Sequence, residues 1–536
     1  MIGQELTVEN LSISFEGKQV VKDLSFQIKP GSIVAMVGES GSGKSVTARS
    51  LVGLAGERAQ ITARSLKLGD QDLLGLDEKG WSLIRGQKIG FVLQDALTSL
   101  DPLRTVGQEI EEFLTAHRQW RGWRNRLARR KRVLQLLENS AISEPETRVQ
   151  QRADELSGGL RQRALIASAI ALNPGIVIAD EPTTALDASA VSRVLSLFRG
   201  LRDAGHGILL ISHDIAAVSQ VADTLIVVKD GRMIEQGKAA RILQSPAQDY
   251  TRVLLNSIPG QQYKPQRVTV SQKKDAPPLL VVKDIVKHYP GSQGSSRLAV
   301  DHVSFTLRRG QTLGILGESG SGKTTTAKIV TGFLKPDAGN VWFDEKMWNG
   351  IREGTHQSVK ERERRPYRRG MGIVYQDPLG SFDPRWTVWR IIADALEASG
   401  VPYQEFPDRI TSLLELVRLP LDVSRRLPLS LSGGQRQRIA IARAIAGSPK
   451  LIVCDEPVSA LDVSVQAQIL ELLKELQDRL QISYLFISHD LGVIKEMSDE
   501  VVVMYKSKIV DCGEVRDVFQ NPRHEFTQNL LKSLTH

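Results

Sequence analysis

The chain has 536 residues, of which 41% are hydrophobic and 24% charged, and a formal net charge of +9. It is too long for one ordinary domain, and its apolar share is an ordinary globular value, so each of two halves can bury a real core. Only Cys454 and Cys512 are present, which rules out a disulfide framework and an all-cysteine iron–sulfur cluster and fits a reducing cytosol.

The first residues, MIGQELTVEN, have neither a basic head nor an apolar core, so no secretory leader is expected. No apolar run approaches the roughly 20 residues that span a bilayer, so membrane association is expected to be peripheral, through a partner. An apolar run, Ile33 to Val37, leads into GESGSGKS: Gly38, Glu39, Ser40, Gly41, Ser42, Gly43, Lys44 and Ser45. This spacing is that of a phosphate-binding loop. Glycines let successive N–H groups turn toward phosphate oxygens. The lysine supplies a cation for the β- and γ-phosphates, and the hydroxyl of Ser45 a ligand for Mg²⁺. A helix is predicted over 46–54, its N-terminus adding the positive end of a dipole.

Between Gln94 and Leu156 the pattern turns helical. Val106, Ile110, Phe113 and Leu114 recur at helical spacing and predict one apolar face. Within this region, residues 118–132 hold eight basic and no acidic side chains. LSGG at Leu156, Ser157, Gly158 and Gly159 precedes a helical run, so a serine hydroxyl, exposed N–H groups and a helix N-terminus could form a second anion site. The apolar run Ile176 to Ala179 ends in Asp180 and Glu181. A buried strand delivering a carboxylate to its tip suits Mg²⁺ ligation by Asp180, and Glu181 is placed to take a proton from an attacking water.

The same order then repeats. GESGSGKT comprises Gly317, Glu318, Ser319, Gly320, Ser321, Gly322, Lys323 and Thr324, followed by a predicted helix over 325–334. LSGGQRQR brings Ser432, Gly433, Gly434 and Gln435, and Leu451 to Cys454 end in Asp455 and Glu456. The offset between copies stays between 274 and 282 positions, which is a tandem duplication of one domain. The expected boundaries are domain one over 1–260, a polar, proline-containing linker over 261–278, and domain two over 279–536. Each copy is expected to be α/β: a largely parallel sheet with helices on both faces, an antiparallel β region and an inserted helical subdomain. A second basic run, 352–369, holds seven basic and three acidic residues. Outside the two runs the chain is nearly neutral. A solvated face, anionic lipid head groups and nucleic acid all remain open as explanations of the runs.

Together these motifs resemble the ATP-binding cassette family, a branch of P-loop NTPases, over essentially the whole chain. The resemblance implies ATP and Mg²⁺ as cofactors. It adds Gln94 and Gln376 as residues that sense Mg²⁺ and the attacking water, and His213 and His489 as contacts to the γ-phosphate. Asp187 and Asp462 correspond to the loop linking two sites, and Phe15 and Tyr289 to the aromatic that stacks on adenine. In the family, each ATP lies between one copy's phosphate loop and the other's LSGG, so the chain would supply both sites without a homodimer. One departure from the signature is Leu160, where Gln435 stands in the second copy. Both glutamates and both histidines are present, so two hydrolytic sites are expected.

QDALTSLDPLRTV and QDPLGSFDPRWTV, with the copy ends SPAQDYTRVLLNSIP and NPRHEFTQNLLKSL, resemble the peptide and nickel importer branch. The fused length looks like the ATP-binding subunit of the importer type that takes up oligopeptides and microcin C. The implied function is energy coupling in a bacterial inner-membrane importer, at the cytoplasmic face. The implied partners are two integral-membrane permease subunits and, indirectly, a periplasmic or secreted peptide-binding protein, with no nucleic acid. The rival is a soluble tandem-cassette ATPase acting on ribosomes. Such proteins typically have a long charged helical linker, which the short proline-containing stretch here does not match. A DNA-repair cassette would need zinc-ligand cysteines or a long coiled-coil insertion, and neither is present.

Overall fold

The computed structural model describes residues 3–94, 99–116, 120, 122, 125–184, 186–256, 258, 277–290, 296–351, 358–459 and 461–532. The chain divides into two compact units, Met1–Ser257 and Ile258–His536. Apart from its last two positions, the linker expected over 261–278 lies outside the described residues, as do parts of both basic runs.

In the first unit a six-stranded sheet has the spatial order Arg232–Lys238, Thr224–Lys229, Ile33–Val37, Gly207–Ser212, Ile176–Asp180, Ile89–Val92. All neighbours run parallel except the edge strand Arg232–Lys238. Strands covered on both faces need continuous apolar runs, and every residue of Ile33–Val37 and Ile176–Asp180 is buried. Side chains alternate between faces. Val177 and Ala179 enter one core with Ile110, Leu136 and Ile166 of the helical subdomain. Ile176 and Ile178 enter a second core with Leu6, Ile13 and Leu66 of an antiparallel sheet. That sheet pairs Leu6–Phe15 with Lys18–Ile28, Ala59–Thr62 and Ser65–Leu68.

The second unit repeats the plan. Its six-stranded sheet runs Met371–Val374, Leu451–Asp455, Ser483–Ser488, Thr312–Gly317, Glu500–Tyr505, Lys508–Glu514. Its antiparallel sheet runs Ser296–Leu307, Leu280–Pro290, Ala338–Phe343, Lys346–Gly350. In each unit the phosphate-loop strand, the Asp-Glu strand and the strand before the histidine lie next to one another in parallel. Their carboxyl ends therefore emerge at one sheet edge, where α/β proteins bind ligands.

Two local expectations need correction. The helices after the phosphate loops are shorter than predicted, Lys44–Ser50 and Lys323–Val330. Each gives way to a glycine in the left-handed region, Gly53 at φ 65° and Gly332 at φ 74°, a conformation that closes helices. Of the predicted stripe on helix Val106–Thr115, Val106, Ile110 and Leu114 are buried, but Phe113 is 40% exposed. The helix starts at Val106, where Thr105 and Gln108 form a reciprocal capping box.

The basic runs are partly tied down by local bonds. Arg129 Nε donates to Glu111 Oε1 at 2.6 Å, and Arg132 donates to the Ala171 carbonyl. Glu361 accepts from both Arg364 and Arg368, which lowers its pKa to about 2. Arg126, Arg130, Lys131, Arg362, Arg365 and Arg369 remain exposed. Among the described residues, no helix is long and apolar enough to cross a membrane.

Candidate nucleotide sites

Each phosphate loop leaves its strand where a side chain cannot fit. A Cβ on Gly38 would lie 2.1 Å from the Val228 carbonyl oxygen, and one on Gly317 would lie 2.3 Å from that of Met504. Gly41, Gly43, Gly320 and Gly322 take φ of 80° to 103° or close to it, at 81°, 94°, 80° and 103° respectively, which glycine alone adopts freely. Glu39 and Glu318 are half-buried, and Ser40 and Ser319 stand exposed at the loop crest. The lysines are folded inward. Lys44 Nζ donates to the carbonyls of Gly38 (2.8 Å) and Glu39 (2.7 Å) and to Ser42 Oγ (3.3 Å). Lys323 Nζ donates to Gly317 (2.7 Å) and Glu318 (2.8 Å), while the buried hydroxyl of Ser321 has no hydrogen-bond partner among the described residues. Both lysines are at most 5% exposed, so each loop holds a desolvated cation at the sheet edge.

Asp180 and Asp455 sit at the tips of the adjoining Asp-Glu strands. Ser45 Oγ donates to Asp180 Oδ1 at 2.9 Å, and Thr324 Oγ1 to Asp455 Oδ1 at 3.4 Å. Burial raises the pKa of both carboxyls, outweighing these hydroxyl bonds, and the neighbouring glutamates raise them further. Such a carboxylate is short of positive charge.

The glutamates that follow are held differently. Glu181 Oε2 accepts from Gln94 Nε2 (3.2 Å) and Thr184 Oγ1 (3.0 Å) and lies 3.2 Å from His213 Nδ1. Glu456 Oε2 accepts from Gln376 Nε2 (3.0 Å) and lies 3.1 Å from His489 Nδ1. Burial pushes the Glu181 carboxyl up, but the bond and charge of His213, with help from Thr184 and Lys44, override it and lower the pKa. In return Glu181 raises His213 against the effect of burial, and Glu456 does the same for His489. A buried carboxylate kept ionised is a competent proton acceptor. Both glutamates also have left-handed backbones, φ 50° at Glu181 and 48° at Glu456. A non-glycine residue there costs of order 1–3 kcal/mol and persists only where surrounding contacts impose it. Here the main-chain N–H groups bond to the carbonyls of Ile211 and Ile487 on the adjacent strands.

The two signature turns differ. Ser432 caps the helix Gly433–Ile445 in a reciprocal box: its Oγ accepts from Gln435 N–H (3.3 Å), and Gln435 Oε1 accepts from Ser432 N–H (3.1 Å). Ser157 precedes the helix Gly158–Ala169 without a side-chain cap bond, and Leu160 has no side-chain oxygen to accept from the Ser157 N–H, so the reciprocal box cannot form. The second glycines are packed tight. A Cβ on Gly159 would lie 2.8 Å from Ala190, and one on Gly434 would lie 2.6 Å from Val465. We expect Gln435→Leu to destabilise its helix start by about 1 kcal/mol and Leu160→Gln to stabilise the other by a similar amount. Hydrogen exchange of the amides at 433–436 and 158–161 should then change about fivefold in opposite directions.

Asp187 and Asp462 each cap the following helix, accepting from Ala190 N–H (2.8 Å) and Val465 N–H (3.0 Å). Phe15 is half-buried against the antiparallel-sheet core, while Tyr289 is 37% exposed at the end of its strand. Lysine, aspartate, hydroxyl, glutamine, glutamate and histidine thus converge in each unit, while Phe15 and Tyr289 lie on the antiparallel sheets and the signature turns at helix starts. Thr184 was not anticipated. Its only signal in sequence is its place three residues after Glu181.

Comparisons with known proteins identify the family. The ABC transporter family model matches residues 21–184 and 300–459, and the oligopeptide/dipeptide transporter C-terminal region matches residues 234–282. The oligopeptide transport ATP-binding protein OppD of Mycobacterium tuberculosis (strain ATCC 25618 / H37Rv) is 36% identical, over 98% of this chain and 97% of its own length. The peptidoglycan transport ATP-binding protein YejF of Agrobacterium fabrum (strain C58 / ATCC 33970) is 38% identical, over 98% and 95%. Among solved structures, an archaeal ribosome recycling factor, aABCE1 in complex with the stalk protein aP1, aligns with a TM-score of 0.61 at 20% identity, over 93% of this chain and 88% of its own. That last likeness concerns the fold alone. The chain belongs to the ABC transporter ATPases, as a tandem-cassette member of the oligopeptide/dipeptide branch.

Proposed function

We propose that the chain is the ATP-hydrolysing, energy-coupling subunit of a bacterial importer for peptides, peripheral to the inner membrane on its cytoplasmic face. Its partners would be two integral-membrane permease subunits and, through them, a periplasmic or secreted peptide-binding protein. The observation that carries the transport reading is the match of residues 234–282 to the C-terminal region of oligopeptide/dipeptide transporters. The ATPase reading rests on the family match and on the convergence of the same residue set in both units.

Lys44 and Lys323 would bind the β- and γ-phosphates, and Phe15 and Tyr289 the adenine. Ser157, Gly158 and Gly159, with Ser432, Gly433, Gly434 and Gln435, would add N–H and hydroxyl contacts to nucleotide. Ser45 with Asp180, and Thr324 with Asp455, offer a hydroxyl and an electron-rich buried carboxylate, a hard-oxygen set that fits Mg²⁺. When bound, Mg²⁺ would neutralise phosphate charge. Glu181 and Glu456 would each take a proton from the attacking water. Gln94 and Gln376, with His213 and His489, would aim those carboxylates, and His213 would help keep Glu181 ionised.

The test is uptake. Deleting the gene is expected to abolish ATP-dependent peptide import, the wild-type chain to restore it, and the chain to sediment with membranes when its permeases are co-expressed. Sedimentation with ribosomes instead would overturn the proposal in favour of a ribosome-acting ATPase. The narrower microcin C reading rests on the fused chain length, and resistance of the deletion strain to that antibiotic is its measurement.

A further inference from the structure

The helix Gly433–Ile445 carries the signature turn at its start and Arg443 near its end. Arg443 Nη1 donates to the Ser381 carbonyl at 2.8 Å, and Nη2 to Ser381 Oγ at 2.9 Å. Its guanidinium carbon lies 4.9 Å from the centre of the Phe382 ring and 6.0 Å from that of Tyr375. Tyr375 and Phe382 bracket one short loop, and that loop carries Gln376, whose amide donates to Glu456. Among the described residues, no carboxylate pairs with Arg443 at ion-pair distance. Burial lowers its pKa, only partly opposed by Tyr375 and Asp394. A desolvated cation persists there because its fork and its flat face are both used, a combination lysine cannot supply.

The first unit differs at all three positions. Ser168 stands where Arg443 does, and its hydroxyl bonds back to the Ala164 carbonyl of its own helix at 3.2 Å. Leu93 and Leu100 stand where Tyr375 and Phe382 do.

We infer that Arg443 is a positioning residue that locks the Gln376 loop of the second unit to its signature helix, a lock the first unit lacks at the matching positions. The inference rests on the roles proposed above for Gln376 and Glu456. By fixing both ends of the loop, Arg443 sets where the Gln376 amide meets the Glu456 carboxylate. It acts on turnover at the Glu456 site and leaves nucleotide affinity alone.

The experiment uses the full chain, with Arg443→Ser and Arg443→Lys each placed in Glu181→Gln and Glu456→Gln backgrounds. In the Glu181→Gln background, Arg443→Ser is expected to lower kcat about tenfold with KM for ATP unchanged, and Arg443→Lys to recover little of it. In the Glu456→Gln background, the residual turnover is expected to be unaffected. Hydrogen exchange over 375–382 should rise about tenfold in Arg443→Ser. An equal loss in both backgrounds, a change in KM without kcat, full rescue by lysine, or unchanged exchange over 375–382 would each overturn the inference. If neither glutamate substitution lowers turnover in the parent chain, the assignment of the bases fails instead, and the exchange measurement alone decides on Arg443.

Discussion

Replacing Glu181 and Glu456 together by glutamine is expected to leave ATP binding intact and to cut phosphate release by about 10²–10⁴-fold, the usual range for a lost general base. Glutamine has nearly the shape of glutamate and can still accept from Gln94 and Thr184 or from Gln376. The left-handed backbone at positions 181 and 456 is set by strand contacts, so it should survive the change. What disappears is the charge. The carboxamide cannot take a proton from water, and it no longer holds His213 and His489 at raised pKa values. The variant therefore carries a second signature: both imidazoles should titrate at lower pH than in the wild-type chain, measured by NMR. Phosphate release at the wild-type rate would mean that these glutamates are not the bases.

The second large effect concerns the lysines. Lys44→Ala is expected to reduce bound ATP from two molecules per chain to one, with affinity at the damaged site weakened by about 2 kcal/mol or more, roughly 30-fold. Lys44 is desolvated, and its ammonium already faces the loop carbonyls of Gly38 and Glu39. Its charge is therefore poised at the loop at little ordering cost. Truncation would leave a phosphate without its cation in a site shielded from water. Lys323 serves as an internal control, because its own loop is untouched. Lys323→Ala should remove the other nucleotide, and the double variant both. Two nucleotides bound with wild-type affinity by Lys44→Ala would exclude that lysine from the site.

Much of this arrangement could be read before any fold was known, because it depends on near neighbours in the chain. The eight residues from Gly38 to Ser45 specify a loop by themselves. Only glycine tolerates the backbone there, and lysine and serine follow directly. Apolar runs ending in Asp180 and Asp455 announce buried strands with a carboxylate at the tip. Duplication of the whole order gave two α/β units. Helix ends were less legible, since Gly53 and Gly332 close their helices earlier than apolar spacing implies. Phe113 shows the same limit: periodicity places it on the inner stripe, but cover depends on what packs above it.

The pairings waited for the tertiary structure. Gln94 reaches Glu181 across 87 positions of chain and Ser45 reaches Asp180 across 135, distances over which spacing carries no information. Parallel strands make those meetings possible, because they bring distant strand ends to one edge. The left-handed glutamates, the bond from Thr184 and the inward fold of Lys44 likewise depend on neighbours from other strands. Even the visible exchange of Gln435 for Leu160 acquired meaning only when one serine proved to be boxed and the other not. Residue type and local spacing decided which chemistry the chain carries. Packing decided which charge faces which, since burial and distance set the strength of every such contact.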